Sequence, residues 1–268
     1  MIASRNGYAA PQRVNATEPN RAPRPTRTIP APGGIYTLGR KEVARIGYGA
    51  LQLRNLESDP DKAEALLRRA LDLGVDHIDT AEFYGNGFAN RIIRKVLADG
   101  DVVVIASKVG ADPETSGKIP VKLAQRPEQL RATVEQNLVS LGMERIPLVN
   151  LRRADMGPGL QAEGDQIVDI DDQMAEMLAM RKEGKIGSIG LSAVSLEKVE
   201  RVLPAGIACV QNAYSLVNRD SEKLLSLCLD HQIAWVPFFP LGGAMPGLPK
   251  VTDQPKVIDI SKQLGITP

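Results

Sequence analysis

Polar side chains with chemical capability recur where short β-like runs end. Asp79 closes the run HIDT (77–80), and Tyr84 follows five positions later in AEFYG. Lys108 ends VVVIASK (102–108), Arg152 ends LVNLR (148–152), and Ser192 ends IGSIGLS (186–192). Gln211 and Asn212 lie within CVQNAY (209–214). A phenol with a pKa of about 10 is a poor proton donor at neutral pH. A neighbouring ammonium stabilises the phenolate and lowers that pKa. A carboxylate beside the ammonium keeps it charged and holds it in place. Asp79, Tyr84 and Lys108 at one mouth would therefore make a tuned general acid. The competing reading is a structural Asp79–Lys108 ion pair with Tyr84 as a packing residue in a loop.

These residues need a scaffold that gathers strand ends. After Gly34 the chain alternates short β-rich runs with amphipathic stretches, the pattern of repeated strand–helix units around a parallel sheet. IYTLGRKEVARIGYGALQL reads as two extended segments joined at Gly39–Arg40. DPDKAEALLRRALDLG predicts a helix capped by Asp59, with Pro60 in the first turn and Leu66, Leu67, Ala70 and Leu71 on one face. FANRIIRKVLA predicts a second. RPEQLRATVEQNLVSLG places Leu130, Val134, Leu138 and Leu141 in register, with Gly142 closing it. DDQMAEMLAMRKEG, SLEKVERVL, SEKLLSLCLDHQ and PKVIDISKQLG continue the series, with Met174 and Met177 as core. The strands between them are LVNLR, IGSIGLS, CVQNAY and AWVPFFP (234–240). In parallel barrels catalytic groups sit at the C-terminal strand ends and in the loops that follow, which is where the polar residues above fall.

Composition narrows the function classes. The chain has 268 residues, 33 basic against 32 acidic side chains and a net charge of +1, so no basic field points to nucleic acid. No apolar run approaches the roughly 20 residues of a membrane span, and MIASRNGYAA lacks the apolar centre of a signal peptide. A cytoplasmic location is expected, with Cys209 and Cys228 as buried thiols and neither a disulfide framework nor a CxxC motif. No metal-ligand cluster is evident. His77 reads as a packing or polar-bridging residue, and His231 falls at a helix C-terminus. Residues 1–33, rich in Pro, Arg and Thr, cannot bury enough surface to order themselves and are expected to form a solvated arm before a barrel domain at 34–268. The loops GADPETSGKIP and MGPGLQAEGD are expected to cover the substrate pocket.

The series GVDHIDTAEFYG, ASKVG, NLRRAD, IGLS, VQNAYS and VPFFPLGG resembles the aldo-keto reductase family in order and spacing, over about residues 36–265. Within it the resemblance is to bacterial members acting on aldehydes such as pyridoxal. The resemblance implies an α/β fold, a parallel (β/α)8 TIM-type barrel preceded by a β-hairpin, and NADPH-dependent reduction of a small-molecule carbonyl. Tyr84 matches the proton-donating tyrosine, Lys108 the lysine that tunes it and Asp79 the aspartate paired with that lysine. Arg152 stands where the family usually has a histidine. It can donate hydrogen bonds to a carbonyl oxygen but is always charged and cannot shuttle a proton. Ser192 and Gln211 match residues that hold the nicotinamide carboxamide, and Phe238 the aromatic on which the ring stacks. Pro240, Leu241, Gly242 and Gly243 match the loop along the pyrophosphate. The family usually has asparagine after the serine, where this chain has Ala193.

The pattern gives seven strands after the hairpin, and the sequence stops at GITP, where a further unit is expected. The barrel is therefore expected to be incomplete, with NADPH binding weakened or lost and a homodimer covering the free edge. The alternative function is a cofactor-independent derivative that uses Tyr84 and Lys108 for dehydration or cyclisation, or that only binds a ligand.

Overall fold

The computed structural model describes residues 29–97, 102–114, 120–156, 160–243 and 249–268. The expected arm at 1–33 lies outside the described residues up to position 28. Strands β1 (Ile35–Leu38) and β2 (Lys41–Ala44) pair antiparallel, as the polar turn at Gly39–Arg40 requires. Leu38 and Val43 turn inward and meet the lower ends of the barrel strands at Val104, Ala106, Leu148, Cys209 and Ala234. The hairpin thus closes one end of the barrel with an apolar plug.

Seven parallel strands follow. They are β3 (Tyr48–Gly49), β4 (His77–Asp79), β5 (Val104–Val109), β8 (Ile146–Arg152), β9 (Ile186–Ser192), β10 (Cys209–Gln211) and β11 (Ala234–Trp235). Sheet order runs β11-β10-β9-β8-β5-β4-β3, with every pairing parallel. This is the incomplete barrel expected from the pattern. Between β5 and β8 the chain forms a second antiparallel ribbon, β6 (Ala111–Pro113) and β7 (Val121–Leu123). That ribbon corrects the reading of GADPETSGKIP as a plain loop. Residues 115–119 lie outside the described residues, as do 157–159.

The helices are α1 (Pro60–Asp72), α2 (Phe88–Val96), α3 (Pro127–Leu141), α4 (Ile170–Lys182), α5 (Leu196–Val202), α6 (Glu222–Asp230) and α7 (Pro255–Leu264). Asp59 caps α1 by accepting from the Lys62 amide at 3.1 Å. The buried stripe of α1 is Ala63, Leu67 and Leu71, whereas Leu66, expected on that face, is exposed. Burying Leu67 and Leu71 stabilises the packing by about 1.5–3 kcal/mol each. In α4, Met174 and Met177 are buried as expected. Cys209 and Cys228 are buried free thiols, and burial pushes the Cys228 pKa up to about 12, which makes it unreactive.

Candidate active site

Register decides which side chains share the barrel interior. Asp79 pairs with Ala106, Lys108 with Asn150, and Arg152 with Ser192, which in turn pairs with Gln211. Side chains two residues apart share a face of a strand, and paired residues share a face of the sheet. Asp79, Lys108, Arg152, Ser192 and Gln211 therefore all point inward at the C-terminal strand ends. One row below Arg152, Ser192 and Gln211, the residues Lys108, Asn150, Gly190, Cys209 and Ala234 form a row of the interior. Gly190 has no side chain because there is no room for one. An added Cβ would lie 2.0 Å from Asn150 Oδ1 and 2.6 Å from Cys209 Sγ.

At the mouth, Lys108 Nζ lies 2.5 Å from both Asp79 carboxylate oxygens and donates to the Thr80 carbonyl at 3.3 Å. It sits 5.1 Å from the centre of the Tyr84 ring. Lys108 is 5% exposed and Tyr84 8%, so both are nearly withdrawn from water. Burial disfavours the Lys108 charge, but Asp79 and Tyr84 together outweigh it and raise the ammonium pKa. The phenol departs from expectation. Burial, the largest influence, and the Asp79 charge together raise the Tyr84 pKa more than Lys108 and Arg152 lower it, so its net shift is upward. Tyr84 is thus held as a neutral phenol, a donor already carrying its proton at neutral pH. Burial lowers the Arg152 pKa, and proximity to Tyr84 opposes that shift. The backbone carbonyl of Arg152 accepts from Gln125 Nε2 at 2.9 Å, which fixes the last residue of β8.

Gln211 Nε2 donates to Asp79 Oδ1 at 2.9 Å. Its Oε1 is buried without a partner and supplies a free acceptor at the mouth. Asn212 plays no part in the mouth. Its amide both accepts from and donates to the Val194 backbone, at 3.1 and 2.9 Å, and stitches the loop after β9. Ala193 precedes that loop with φ +50, a left-handed backbone in which asparagine is enriched and alanine is strained.

Phe238 continues β11 through a parallel bridge to Ala213 and meets the Phe239 ring edge-on at 5.1 Å. Phe239 has φ +58, an outlier for a bulky residue and a mark of a constrained turn. Pro240 and Leu241 are exposed and Gly242 is buried with φ +100. A Cβ on Gly242 would stand 2.3 Å from the Pro249 carbonyl oxygen. Residues 244–248 lie outside the described residues.

A buried polar network that the sequence reading missed supports the mouth. Thr80 Oγ1 donates to Asn90 Oδ1 at 2.7 Å, and Asn90 Nδ2 reaches Glu82, Asn137 and Ser140. Ser107 Oγ donates to Asn137 Oδ1 at 2.6 Å. The network ties the segment between Asp79 and Tyr84 to the residue before Lys108 through two helices. Its signal was present in the sequence: Asn137 lies on the α3 face defined by Leu130, Val134 and Leu141. His77 is buried and packs against Gly47, and burial lowers its pKa while Asp79 and the Ala44 backbone pull upward. Among the described residues no group of three or more His, Cys, Asp or Glu is arranged to hold a metal ion. Nor is any described helix long and apolar enough to cross a membrane.

The sequence profile of the aldo/keto reductase family matches residues 45–258. The chain is 38% identical over 242 residues to pyridoxine 4-dehydrogenase of Escherichia coli, covering 87% of this chain and 80% of that protein. It is 32% identical over 225 residues to an uncharacterized oxidoreductase of Schizosaccharomyces pombe, covering 80% and 69%. In fold it is similar to an aldo-keto reductase from Klebsiella pneumoniae solved in complex with NADPH. That match has a TM-score of 0.68 at 24% identity, over 90% of this chain and 78% of that one.

Proposed function

Because the chain belongs to the aldo/keto reductase family, we propose that it reduces an aldehyde or ketone to an alcohol with NADPH, Tyr84 giving the proton. When bound, the nicotinamide supplies hydride to the carbonyl carbon. Tyr84 donates its phenolic hydrogen to the carbonyl oxygen, and Lys108 stabilises the negative charge left on the phenol. Asp79 keeps Lys108 charged and in place. Arg152 donates to the substrate oxygen and orients it, without moving a proton.

The observation that carries the reading is the pairing of a buried Lys108, bridged to the half-buried Asp79, with a nearly buried phenol at one strand-end mouth. The residues fit a nicotinamide amide, since the unpartnered Gln211 Oε1 is an acceptor aimed at no protein group. Ser192 lies beside it in register. Phe238 offers a flat ring, and the Pro240–Gly243 turn, exposed at Pro240 and Leu241, a backbone for the pyrophosphate. The substrate class is a small aromatic aldehyde such as pyridoxal, on the strength of the E. coli relative.

In this reading the enzyme works in the cytoplasm, and a second copy covers the free edges of β3 and β11. A strictly monomeric mass by light scattering would count against the pairing. The test of function is an NADPH titration followed by the fluorescence of the single tryptophan, Trp235, then an aldehyde screen including pyridoxal. Saturable binding with NADPH oxidation supports the reading. No binding at millimolar cofactor overturns it in favour of redox-neutral acid–base chemistry or ligand binding alone.

A further inference from the structure

Two clefts among the described residues open at the end of the barrel opposite the mouth. One, of about 560 Å³, is lined by Arg40, Arg145, Arg181 and Lys182 over an apolar floor that includes Leu178 and Pro204. A recess of about 750 Å³ beside it shares Arg40, Arg181, Gly187 and Gly206. The four cations come from three separate places. Arg40 is on the β1–β2 turn, Arg145 immediately precedes β8, and Arg181 and Lys182 lie in the last turn of α4. No carboxylate lines the smaller cleft, and Glu42 lines only the larger one.

None of the four takes part in an ion pair among the described residues. Of the acids nearby in sequence, Glu183 is engaged with Arg131 and Lys185 and Glu135 with Lys185, while Glu144, next to Arg145, does not line the cleft. The α4 dipole accounts for cations in its last turn, but not for Arg40 and Arg145 arriving from other elements. Nor does composition account for them, since the whole chain carries a net charge of only +1. Four like charges around one recess repel one another, and a bound polyanion would remove that cost. Arg181 is already braced, donating to the Ala205 carbonyl at 3.3 Å.

We propose that this cleft binds a small molecule bearing two or more phosphate groups, at a site separate from the catalytic mouth. Guanidinium groups present planar forks of donors that match phosphate oxygens, and three of the four cations are arginines. The volume lies within the range of small-molecule sites, roughly 300–1,000 Å³. The inference does not depend on the reductase reading, because none of its residues lies at the mouth.

The experiment is calorimetric titration of the chain with inorganic pyrophosphate at constant ionic strength, with sodium chloride as the balancing salt. Orthophosphate and tripolyphosphate are run beside it. The comparison variant is Arg40→Gln with Arg145→Gln; both side chains are exposed, so the fold should persist, and circular dichroism checks it. Expected is saturable binding that tightens from orthophosphate to tripolyphosphate, with at least a tenfold weaker Kd in the double variant and unchanged NADPH affinity. Absence of saturable binding overturns the proposal. So does an equal Kd in the double variant, which would place the anion elsewhere, for instance at the Pro240–Gly243 turn.

Discussion

Gln211 and Asp79 are joined by a 2.9 Å hydrogen bond although three strands, β9, β8 and β5, stand between theirs in the sheet. In a flat sheet four strand spacings of about 4.8 Å would hold them some 19 Å apart. The bond therefore spans the barrel interior and shows how far the seven strands curl. It also makes Asp79 a shared acceptor, linking the amide expected to meet the cofactor with the ammonium beside the phenol.

Removing the phenolic hydroxyl tests the proton donor. Tyr84→Phe should lower kcat by about 10²–10⁴-fold with little change in Tm. Steady-state kinetics and thermal denaturation on the same preparation check it, and near-normal turnover would dismiss Tyr84 as the acid.

Lys108→Met acts on two properties at once. It leaves the Asp79 carboxylate, whose side chain is 21% exposed, without its ion-pair partner, at a cost of about 3 kcal/mol in urea unfolding. It also removes the largest influence lowering the Tyr84 pKa, so the already raised phenol pKa should climb further. Ultraviolet titration of tyrosinate, with Tyr84→Phe as the blank, reads that shift. In the native protein Tyr84 and Lys108 both have folded pKa values above their ordinary 10.0 and 10.5. Their contribution to stability is complete below about pH 10 and falls as the pH rises through the folded values.

The Asn90 network should position the mouth rather than merely fill space. Asn90→Asp replaces the donor that faces Glu82 with a carboxylate, setting like charges together in a buried site. The expected outcome is a loss of about 2 kcal/mol in stability and a displaced alkaline limb of the pH–rate profile, with NADPH affinity held. An unmoved profile would leave the network a purely structural role.

Acid should weaken the fold through His77. Its folded pKa is depressed below 6.5, chiefly by burial, so its contribution to stability is present above that pH and is lost as pH falls through the folded value. Between about pH 7.5 and about pH 5, Tm of the native chain should drop more than that of His77→Gln. Parallel drops would assign the acid sensitivity to other groups.

Gly190→Ala tests the packing of the interior row. The new methyl would meet Asn150 Oδ1, Cys209 Sγ and the Cys209 carbonyl oxygen, the last at 3.0 Å. A cost of about 2–3 kcal/mol is expected from overpacking, read as a lower urea midpoint. Asn150→Ala in the same chain should recover part of it, since the closest clash is with that side chain.

The order of the elements and the strand ends at which Asp79, Lys108, Arg152 and Ser192 sit are legible in the residue pattern alone. Those follow from local rules, such as period-two runs, the Asp59–Pro60 start of α1 and the Gly142 stop of α3. The pattern also carries the family motif, because that motif is a string of contiguous residues around each strand end. What those residues experience depends on the folded surroundings. Tyr84 reads as an acid made stronger by Lys108, yet enclosure by Phe83, Phe88 and their neighbours gives burial the larger share and raises its pKa. Asn212 is the polar neighbour of Gln211 in the chain, but alternation turns it to the opposite face, where the Val194 backbone takes its amide. Leu66 fits the α1 stripe by spacing and is exposed because the barrel covers only the arc through Ala63, Leu67 and Leu71. Desolvation and cross-barrel contacts such as Gln211–Asp79 depend on residues distant in the chain, so no local pattern encodes them.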